Sequence, residues 1–221
     1  MSTDNGRIEL AILIPEALPA QVHKVVTDVV QGGYAGAVVP PVYVSRAATM
    51  VRGSGATVNT TVGFPHGTNK PTLKAIEATS SIKDGADAVM IVAHLPHLIR
   101  GDFDAARAEL LEIVRAARAT RREVQINVII ESAMLMQQHD GERLIATACR
   151  AIRESGCDGV ASATGFHPAG AGTEDAIRAI RRHAESLIVV ASGNIAASEA
   201  QRYLAAGADR TIVDAALSSF P

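Results

Sequence analysis

Short apolar runs alternate with amphipathic stretches along the whole of this 221-residue chain. Such alternation is typical of βα units, in which helices connect parallel strands and cover the sheet that they form. The predicted strands are Leu10 to Ile14, Gly36 to Val39, Thr57 to Val62, Ala88 to Val92, Gln125 to Ile130, Gly159 to Ser162, Leu187 to Ala191 and Arg210 to Val213. Eight units in so short a chain predict an α/β fold, a single-domain (β/α)8 TIM barrel over residues 1–221 with few insertions.

The segments between these runs carry helix signals. Ala106, Leu110 and Ile113 fall at steps of three and four residues, which places them on one face of a helix. Asp102 precedes them and is a predicted N-cap. The predicted helices include Ala20 to Gln31, Thr72 to Asp84, Asp104 to Arg118, Arg143 to Glu154, Thr173 to His183 and Ser198 to Ala206. One apolar face per helix suits an outer layer around a barrel.

Charge and composition exclude several classes of partner. The 21 basic and 23 acidic residues are interspersed and give a formal net charge of -2, so the chain lacks the basic surface that binds nucleic acid or an anionic membrane. No run reaches the roughly 18 apolar residues of a membrane span, and Met1 to Gly6 lacks the apolar segment of a signal peptide. We therefore expect a soluble, cytoplasmic protein of small-molecule metabolism.

Several dispersed segments resemble one enzyme family. Gly159 to Phe166, Gly-Val-Ala-Ser-Ala-Thr-Gly-Phe, resembles the Ile-Lys-Thr-Ser-Thr-Gly-Phe signature of deoxyribose-phosphate aldolases. Thr61 to Gly67 is similar to the family's Gly-Phe-Pro-x-Gly loop, Val128 to Ser132 to its Val-Ile-Ile-Glu-Thr strand, and Ala191 to Ile195 to its Ala-Ser-Gly-Gly-Ile segment. The resemblance covers nearly the whole chain and implies the barrel of a class I aldolase.

The departures from the family pattern fall where that family does its chemistry. Ala161 stands at the position of the lysine that forms a Schiff base with the substrate aldehyde. Val190 stands for the second lysine, and Met90 for the proton-relay aspartate. A methyl group cannot form an imine, and loss of a covalent nucleophile can cost on the order of 10^6 in turnover. We therefore expect a divergent member in which the ordinary aldolase reaction is negligible.

The chain has four lysines that could replace the missing one. Lys24, Lys74 and Lys83 fall on predicted helices of the outer ring and are expected to point away from the barrel mouth. Lys70 lies in the loop after the third strand, on the face where barrel enzymes place their sites. An aldolase or lyase that uses a relocated lysine at Lys70 therefore stays open as an alternative.

The resemblance implies a phosphate site that this sequence keeps only in part. Gly172 and Thr173 lead into a helix N-terminus, where backbone N–H groups favour an anion. Asn194 replaces one glycine of the pair after the seventh strand, and Asp214 adds a carboxylate after the eighth. A carboxylate about 4 Å from a phosphate charge costs roughly 4 kcal/mol at an effective dielectric of about 20. A neutral or cationic ligand is expected to fit better.

Polar residues near the carboxyl ends of the strands form the predicted site. We predict Glu131, His94 and Asp214 as general acids or bases. The predicted substrate-binding residues are Asn59, Ser162, Asn194, Gly172 and Thr173. His66, His94, His97 and His167 come from loops after three different strands without ligand-like spacing, so we predict no metal site, and no other cofactor is called for.

Two hypotheses of different classes follow. The first is an enzyme of lyase or isomerase type that acts on a small carbonyl compound by non-covalent acid/base chemistry. The second is a catalytically inactive aldolase-like protein that binds a ligand or partner, favoured by the apolar set Ala161, Val190 and Met90. Homodimers are common for such barrels, and a homodimer is a further expectation.

Overall fold

Eight parallel strands pair in chain order and close into a barrel in a computed structural model of the protein, which describes residues 4–217. The strands are β1 (Ile8–Ala11), β2 (Gly36–Val39), β3 (Thr57–Val62), β4 (Ala88–Val92), β5 (Gln125–Ile129), β6 (Gly159–Ala161), β7 (Ile188–Ile195) and β8 (Arg210–Asp214). The barrel closes because β8 pairs with β1, with Ile8 opposite Thr211 and Ala11 opposite Asp214. The predicted (β/α)8 fold is confirmed, while the predicted boundaries at residues 1 and 221 lie outside the described residues.

Five strands differ from their predicted bounds, and three of these differ by a single residue at the end: β5 ends at Ile129, β6 at Ala161 and β8 at Asp214. The other two differ by more. The strand predicted from Leu10 begins instead at Ile8 and ends at Ala11, because the pairing with β8 includes Glu9, a polar residue that interrupts the apolar run. The strand predicted to end at Ala191 continues to Ile195. Ile195 pairs with Val213 after an irregularity in the β7–β8 register. Pairing, and not hydrophobicity alone, sets both boundaries.

Helices cover the outside of the barrel. They are α1 (Pro19–Gly32), α2 (Val44–Val51), α3 (Pro71–Lys83), α4 (Leu95–Ile99), α5 (Phe103–Thr120), α6 (Ser132–Met136), α7 (Gly141–Glu154), α8 (Glu174–Ala184) and α9 (Ala200–Ala205). The predicted N-cap of α5 is confirmed, since the Asp102 carboxylate accepts a hydrogen bond from the backbone N–H of Ala105 at 3.1 Å. Within residues 4–217 no helix has the length and apolar character needed to span a membrane.

The apolar residues form an outer layer between strands and helices and a separate inner group inside the barrel. Alternation of side chains along each strand produces this division. The inner group consists of Ala11, Val38, Met90, Val92, Ile129, Ala161, Val190 and Ile212, with Leu13, Phe64 and Ile188 packed against it. These residues form an apolar floor beneath the mouth of the barrel.

Candidate active site

A small cavity opens at the carboxyl ends of the strands, which is the face where barrel enzymes place their sites. We call it the mouth cavity. Its volume is about 40 Å³, which is room for about three water molecules, since one needs about 10–15 Å³ on the same measure. Its polar lining residues are Thr61, Thr164, Ser192, Asn194 and Asp214. Phe64, Met90 and Phe166 are among the apolar residues that narrow it.

Apolar side chains occupy the interior where the resemblance implies catalytic groups. Ala161 is opposite Ile129 on one neighbouring strand and opposite Val190 on the other. Met90 belongs to the same inner group and lines the mouth cavity. Ala161, Val190 and Met90 are all buried, so the three positions together supply hydrocarbon surface and no ionisable group.

Asp214 lies at the end of β8 and lines the mouth cavity. Partial burial raises the pKa of its carboxyl group, and a hydrogen bond from the backbone N–H of Ala216 opposes this rise. That N–H lies 2.8 Å from Asp214 Oδ1. An acid whose pKa is raised towards neutrality is better suited to exchange protons with a substrate. Asp214 is therefore the predicted acid/base residue that the structure places in the mouth cavity.

Asn194 also lines the mouth cavity, and its backbone is left-handed with a φ of 54°. Asparagine tolerates this conformation better than most residues. Its side-chain Nδ2 donates a hydrogen bond to the carbonyl oxygen of Gly165 at 2.8 Å. A Cβ atom at Gly165 would lie 2.5 Å from Asn194 Oδ1, so the glycine leaves the space in which the asparagine amide is held.

Glu131 lies beside a second cavity of about 120 Å³, which we call the Glu131 cavity. Its Oε1 accepts hydrogen bonds from Thr164, at 3.0 Å from the backbone N and 2.5 Å from Oγ1. Its Oε2 is buried and has no hydrogen-bond partner among the described residues. His66, His167 and Leu95 also line this cavity, and Thr164 and Phe166 line both cavities.

His94 lines neither of these two cavities. Its ring packs edge-on against the ring of His97, with 4.6 Å between centroids. Its backbone N–H donates to Glu109 Oε2 at 3.2 Å. The structure therefore places Glu131 and Asp214 in adjacent cavities and the His94 ring outside both.

Three predicted substrate-binding residues lie behind the mouth and line neither cavity. The Ser162 hydroxyl is buried, donates to the Ser192 carbonyl at 2.9 Å and accepts from the Ser192 N–H at 2.8 Å. A Cβ atom on Gly172 would lie 2.5 Å from Ser162 Cβ, so this glycine packs directly on the serine. Thr173 caps α8 by accepting a hydrogen bond from the N–H of Ala176 at 3.1 Å.

The start of α8 keeps only part of an anion site. The Thr173 hydroxyl already accepts a hydrogen bond from one of the free N–H groups of the first turn. Glu174 and Asp175 place two acidic side chains in that turn, and both are paired with Arg178, at 3.0 Å and 2.7 Å. Because each carboxylate is paired, this turn does not decide between an anionic ligand and a neutral or cationic one.

Asn59 lies deeper in the barrel than we predicted. It is the third residue of β3, and its Nδ2 donates to Glu9 Oε2 at 2.7 Å. Arg210 Nη1 donates to the other oxygen of Glu9 at 2.8 Å. Glu9 and Arg210 belong to the amino-terminal halves of β1 and β8, so Asn59 is part of a polar cluster near the opposite end of the barrel from the mouth.

Lys74 lies on α3, in the outer ring of helices, and lines neither the mouth cavity nor the Glu131 cavity. Its side chain is fully buried, with Nζ 2.6 Å from Glu109 Oε1 and 2.7 Å from the carbonyl oxygen of Val92. The charge of Glu109 on the apolar face of α5 was the signal that could have revealed this pair. Lys70 is exposed, and no lysine is among the residues that line the mouth cavity or the Glu131 cavity.

Among residues 4–217 no group of three or more histidine, cysteine or acidic side chains is arranged to hold a metal ion. Cys149 and Cys157 are buried free thiols. Burial raises the pKa of each thiol to about 12, which keeps both in the unreactive protonated form.

Comparison with known proteins gives the family. Residues 4–212 match the family described as DeoC/LacD family aldolase. The chain belongs to this family. A deoxyribose-phosphate aldolase from Mycobacterium tuberculosis (strain ATCC 25177 / H37Ra) is 36% identical over 208 residues, which cover 92% of this chain and 88% of the relative.

Solved structures show the same fold. An aldolase named QR15 is 29% identical, with a TM-score of 0.84 over 96% of this chain and 92% of that one. The deoxyribose phosphate aldolase from Aeropyrum pernix, described as tetrameric, is 24% identical, with a TM-score of 0.83 over 95% of this chain and 86% of that one. The family and the fold that the sequence predicted are therefore confirmed.

Proposed function

We propose that this member of the aldolase family is a lyase-type enzyme that acts on a small carbonyl compound without a Schiff base. The observation that carries the proposal is the apolar inner group, in which Ala161, Val190 and Met90 lie beneath a mouth cavity that contains Asp214. The relatives named as deoxyribose-phosphate aldolases support a lyase. The absence of a lysine from the cavity lining argues for a different route through the reaction.

Asp214 is the group that we assign to proton transfer. In a retro-aldol step it accepts the hydroxyl proton of a β-hydroxy carbonyl compound. The bond between the α and β carbons then breaks, and its electron pair moves through the α carbon to leave a negative charge on the carbonyl oxygen. The β carbon leaves as a second carbonyl compound, and the protonated Asp214 gives its proton to the α carbon of the enolate. The Asn194 amide and the Thr61 hydroxyl line the same cavity and are the candidate donors to the developing oxyanion.

The sizes of the expected catalytic rate factors favour a slow or specialised reaction over the ordinary cleavage of deoxyribose phosphate. A positioned oxyanion donor contributes on the order of 10^2 to 10^3 in rate, and general acid/base catalysis about 10^2 to 10^4. Loss of a covalent nucleophile can remove on the order of 10^6. We therefore infer that turnover of deoxyribose phosphate is negligible.

Proton exchange tests the proposal before a substrate is identified. Acetone, acetaldehyde and propanal in deuterated water exchange the hydrogens on the carbon next to the carbonyl, and NMR measures the rate. We expect the wild-type protein to accelerate exchange of at least one of them, and Asp214→Asn to lower that rate at least about 10^2-fold. Asp175→Asn removes an exposed carboxylate on α8 and is the matched control. Equal rates in the wild-type and Asp214→Asn proteins would reject the assignment of Asp214.

A second candidate function is ligand binding without catalysis. The small volume of the mouth cavity, about 40 Å³, favours it, because Phe64, Met90 and Phe166 occupy much of the mouth. In this case a carbonyl compound would raise the unfolding temperature without any enzyme-dependent exchange. The same samples therefore discriminate between the two functions.

A further inference from the structure

We infer that the Glu131 cavity is a binding site for the primary ammonium group of a small aliphatic ligand. Glu131 is only 5% exposed. Thr164 provides two hydrogen bonds to Oε1, while Oε2 has no partner among the described residues. A buried polar group without a partner costs about 1–3 kcal/mol. Oε2 is closed to a water-sized group in this structure, so the ammonium group must turn the carboxyl group or displace part of the wall to reach it. The free energy gained when Oε2 acquires a partner offsets the cost of that movement.

The backbone conformation of Glu131 also supports a functional role for this residue. This residue has a left-handed conformation with φ 52° and ψ 55°, which is unfavourable for a residue that carries a Cβ atom. Such a conformation costs on the order of 1–3 kcal/mol and clusters at functional sites. Two separate costs, one of conformation and one of desolvation, therefore fall on a residue in a cavity wall.

The charges around the cavity select a cation. Neither the Glu131 cavity nor the adjacent mouth cavity has lysine or arginine among its lining residues, while each has one carboxyl group, Glu131 in the first and Asp214 in the second. Two histidines line the Glu131 cavity. His167 Nδ1 accepts a hydrogen bond from the N–H of Ala169, so a neutral His167 ring carries its proton on Nε2. His66 is exposed to solvent.

The rest of the wall is apolar and sets the size of the ligand. Pro65, Val92, Leu95, Phe166 and Pro168 provide hydrocarbon surface. The volume of about 120 Å³ is somewhat below the roughly 150 Å³ of a cavity known to hold benzene. An alkyl chain of three carbons with a terminal ammonium group matches this combination of one acceptor and apolar walls.

The Glu131 cavity adjoins the mouth cavity through Thr164 and Phe166, which line both. A substrate that extends from one cavity to the other would carry its carbonyl group near Asp214 and an amine near Glu131. That extension rests on the proposed function. Binding of the ammonium group itself does not, because it requires no turnover.

Titration with three probes of similar size tests the site. The probes are n-propylammonium, 1-propanol and propionate, added at about pH 8, where free histidine is neutral. Isothermal calorimetry gives the affinity, and the NMR signal of the Thr164 amide, which donates to Glu131 Oε1, reports occupancy. We expect n-propylammonium alone to bind and to shift this signal saturably. Glu131→Gln should weaken binding about 10-fold to 100-fold, which is the effect of losing a charge-assisted hydrogen bond.

Glu112→Gln, at an exposed position of α5, is the matched control and should bind as the wild-type protein does. Asp214→Asn should abolish exchange in the mouth cavity while leaving ammonium binding within a few-fold. Ammonium binding without exchange in the wild-type protein would reject the proposed function and support the site. Exchange without ammonium binding would support the proposed function and reject the ammonium site.

Several results would overturn the inference. One is equal shifts of the Thr164 amide by 1-propanol and n-propylammonium. Another is the absence of any saturable shift, which would mean that the cavity holds water only. Unchanged affinity in a folded Glu131→Gln protein would also reject it. If that variant does not fold, the comparison of the three probes on the wild-type protein decides alone.

Discussion

Lys74 Nζ lies 2.6 Å from Glu109 Oε1, and both side chains are buried between α3 and α5. The pair also holds the end of β4. Lys74 donates to the carbonyl oxygen of Val92, and Glu109 accepts from the N–H of His94. Val92 lines the Glu131 cavity, so this ion pair fixes one wall of that cavity from outside the barrel.

Removal of one partner is expected to destabilise the fold strongly. Lys74→Met leaves Glu109 as a buried charge without compensation, and breaking such a pair costs about 3–5 kcal/mol in the free energy of unfolding. Urea unfolding followed by circular dichroism measures this change. Lys83→Met, which removes an exposed lysine from the end of the same helix, should change the free energy by less than about 0.5 kcal/mol.

The double variant Lys74→Met/Glu109→Leu completes the test. Replacing both charges with apolar groups removes the uncompensated carboxylate, so this variant should recover most of the loss. A loss below about 1 kcal/mol for Lys74→Met would show that the pair behaves like one at the surface. The role assigned to it in holding β4 would then be wrong.

The periodic parts of the fold were predictable from the sequence. Buried parallel strands read as apolar runs, and helices such as α5 carry one apolar face, so the repeat of eight units identifies the barrel. The five-residue helices α4 and α6 were not predicted because they are too short to show a period. The burial of Lys74 was not predicted because a lysine on a helix is usually at the surface, and the partner that buries it is 35 positions away.

The candidate site was predictable only in part, because position along a strand does not fix the direction of a side chain after the strand ends. Asp214 and Asn194 lie on β8 and β7 themselves, and both line the mouth cavity. His94 comes directly after β4, yet the short helix α4 that follows brings its ring against His97. Asn59 is the third of six residues in β3, whose bounds were predicted correctly, so its position below the mouth was already implied by the sequence and was misjudged.

Ionisation of Asp214 is expected to lower the free energy of unfolding as the pH rises. Burial raises the pKa of its carboxyl group above the ordinary value of 3.8, so between the unfolded and folded pKa values the folded protein binds more protons than the unfolded one. The free energy of unfolding therefore falls as the pH rises through this window. Asp214→Asn removes the penalty and should be more stable than the wild-type protein at neutral pH.

Urea unfolding at neutral pH and at a pH below 3.8 measures the change. The advantage of Asp214→Asn should shrink at the acidic pH, where the wild-type carboxyl group is protonated in both states. If the difference between the two proteins is the same at both pH values, or if the wild-type protein is the more stable at neutral pH, the raised pKa is rejected.

Gly165→Ala is expected to displace the Asn194 amide. The new Cβ atom would lie 2.5 Å from Asn194 Oδ1, and the backbone at Gly165 has a φ of 84°. Gly170→Ala separates these two effects, because Gly170 has a similar φ of 81° and no atom within 4 Å of the added Cβ. Both variants carry the left-handed penalty of about 1–2 kcal/mol, and only Gly165→Ala also carries the clash.

The free energy of unfolding should fall further for Gly165→Ala than for Gly170→Ala, by about 1–3 kcal/mol, the usual range for overpacking. Enzyme-dependent exchange in the mouth cavity should be lost in the first variant and kept in the second. Equal losses of stability in the two variants would mean that the Asn194 amide moves aside without cost.

Borohydride trapping with propanal, read by intact mass, is expected to leave the wild-type protein unmodified at active-site positions. A lysine forms an imine through its neutral amine, and desolvation is what lowers the pKa of a lysine enough to supply that form. Lys70 is exposed, and Lys74 is held by Glu109 and the Val92 carbonyl. A propyl adduct mapped to Lys70 would support the relocated-lysine alternative and reject non-covalent chemistry.

Ala161→Lys supplies the positive counterpart. The Ala161 side chain is 0% exposed, between Ile129 and Val190, so a lysine there would be desolvated and its pKa lowered. The added volume should cost about 1–3 kcal/mol or more of stability. We nevertheless expect the folded fraction to form a trapped adduct at residue 161, because the new side chain reaches towards the mouth cavity. A folded variant without an adduct would show that the apolar floor excludes the aldehyde as well as lacking the amine. The proposed departure from the ordinary aldolase reaction would then involve the apolar floor as well as residue 161.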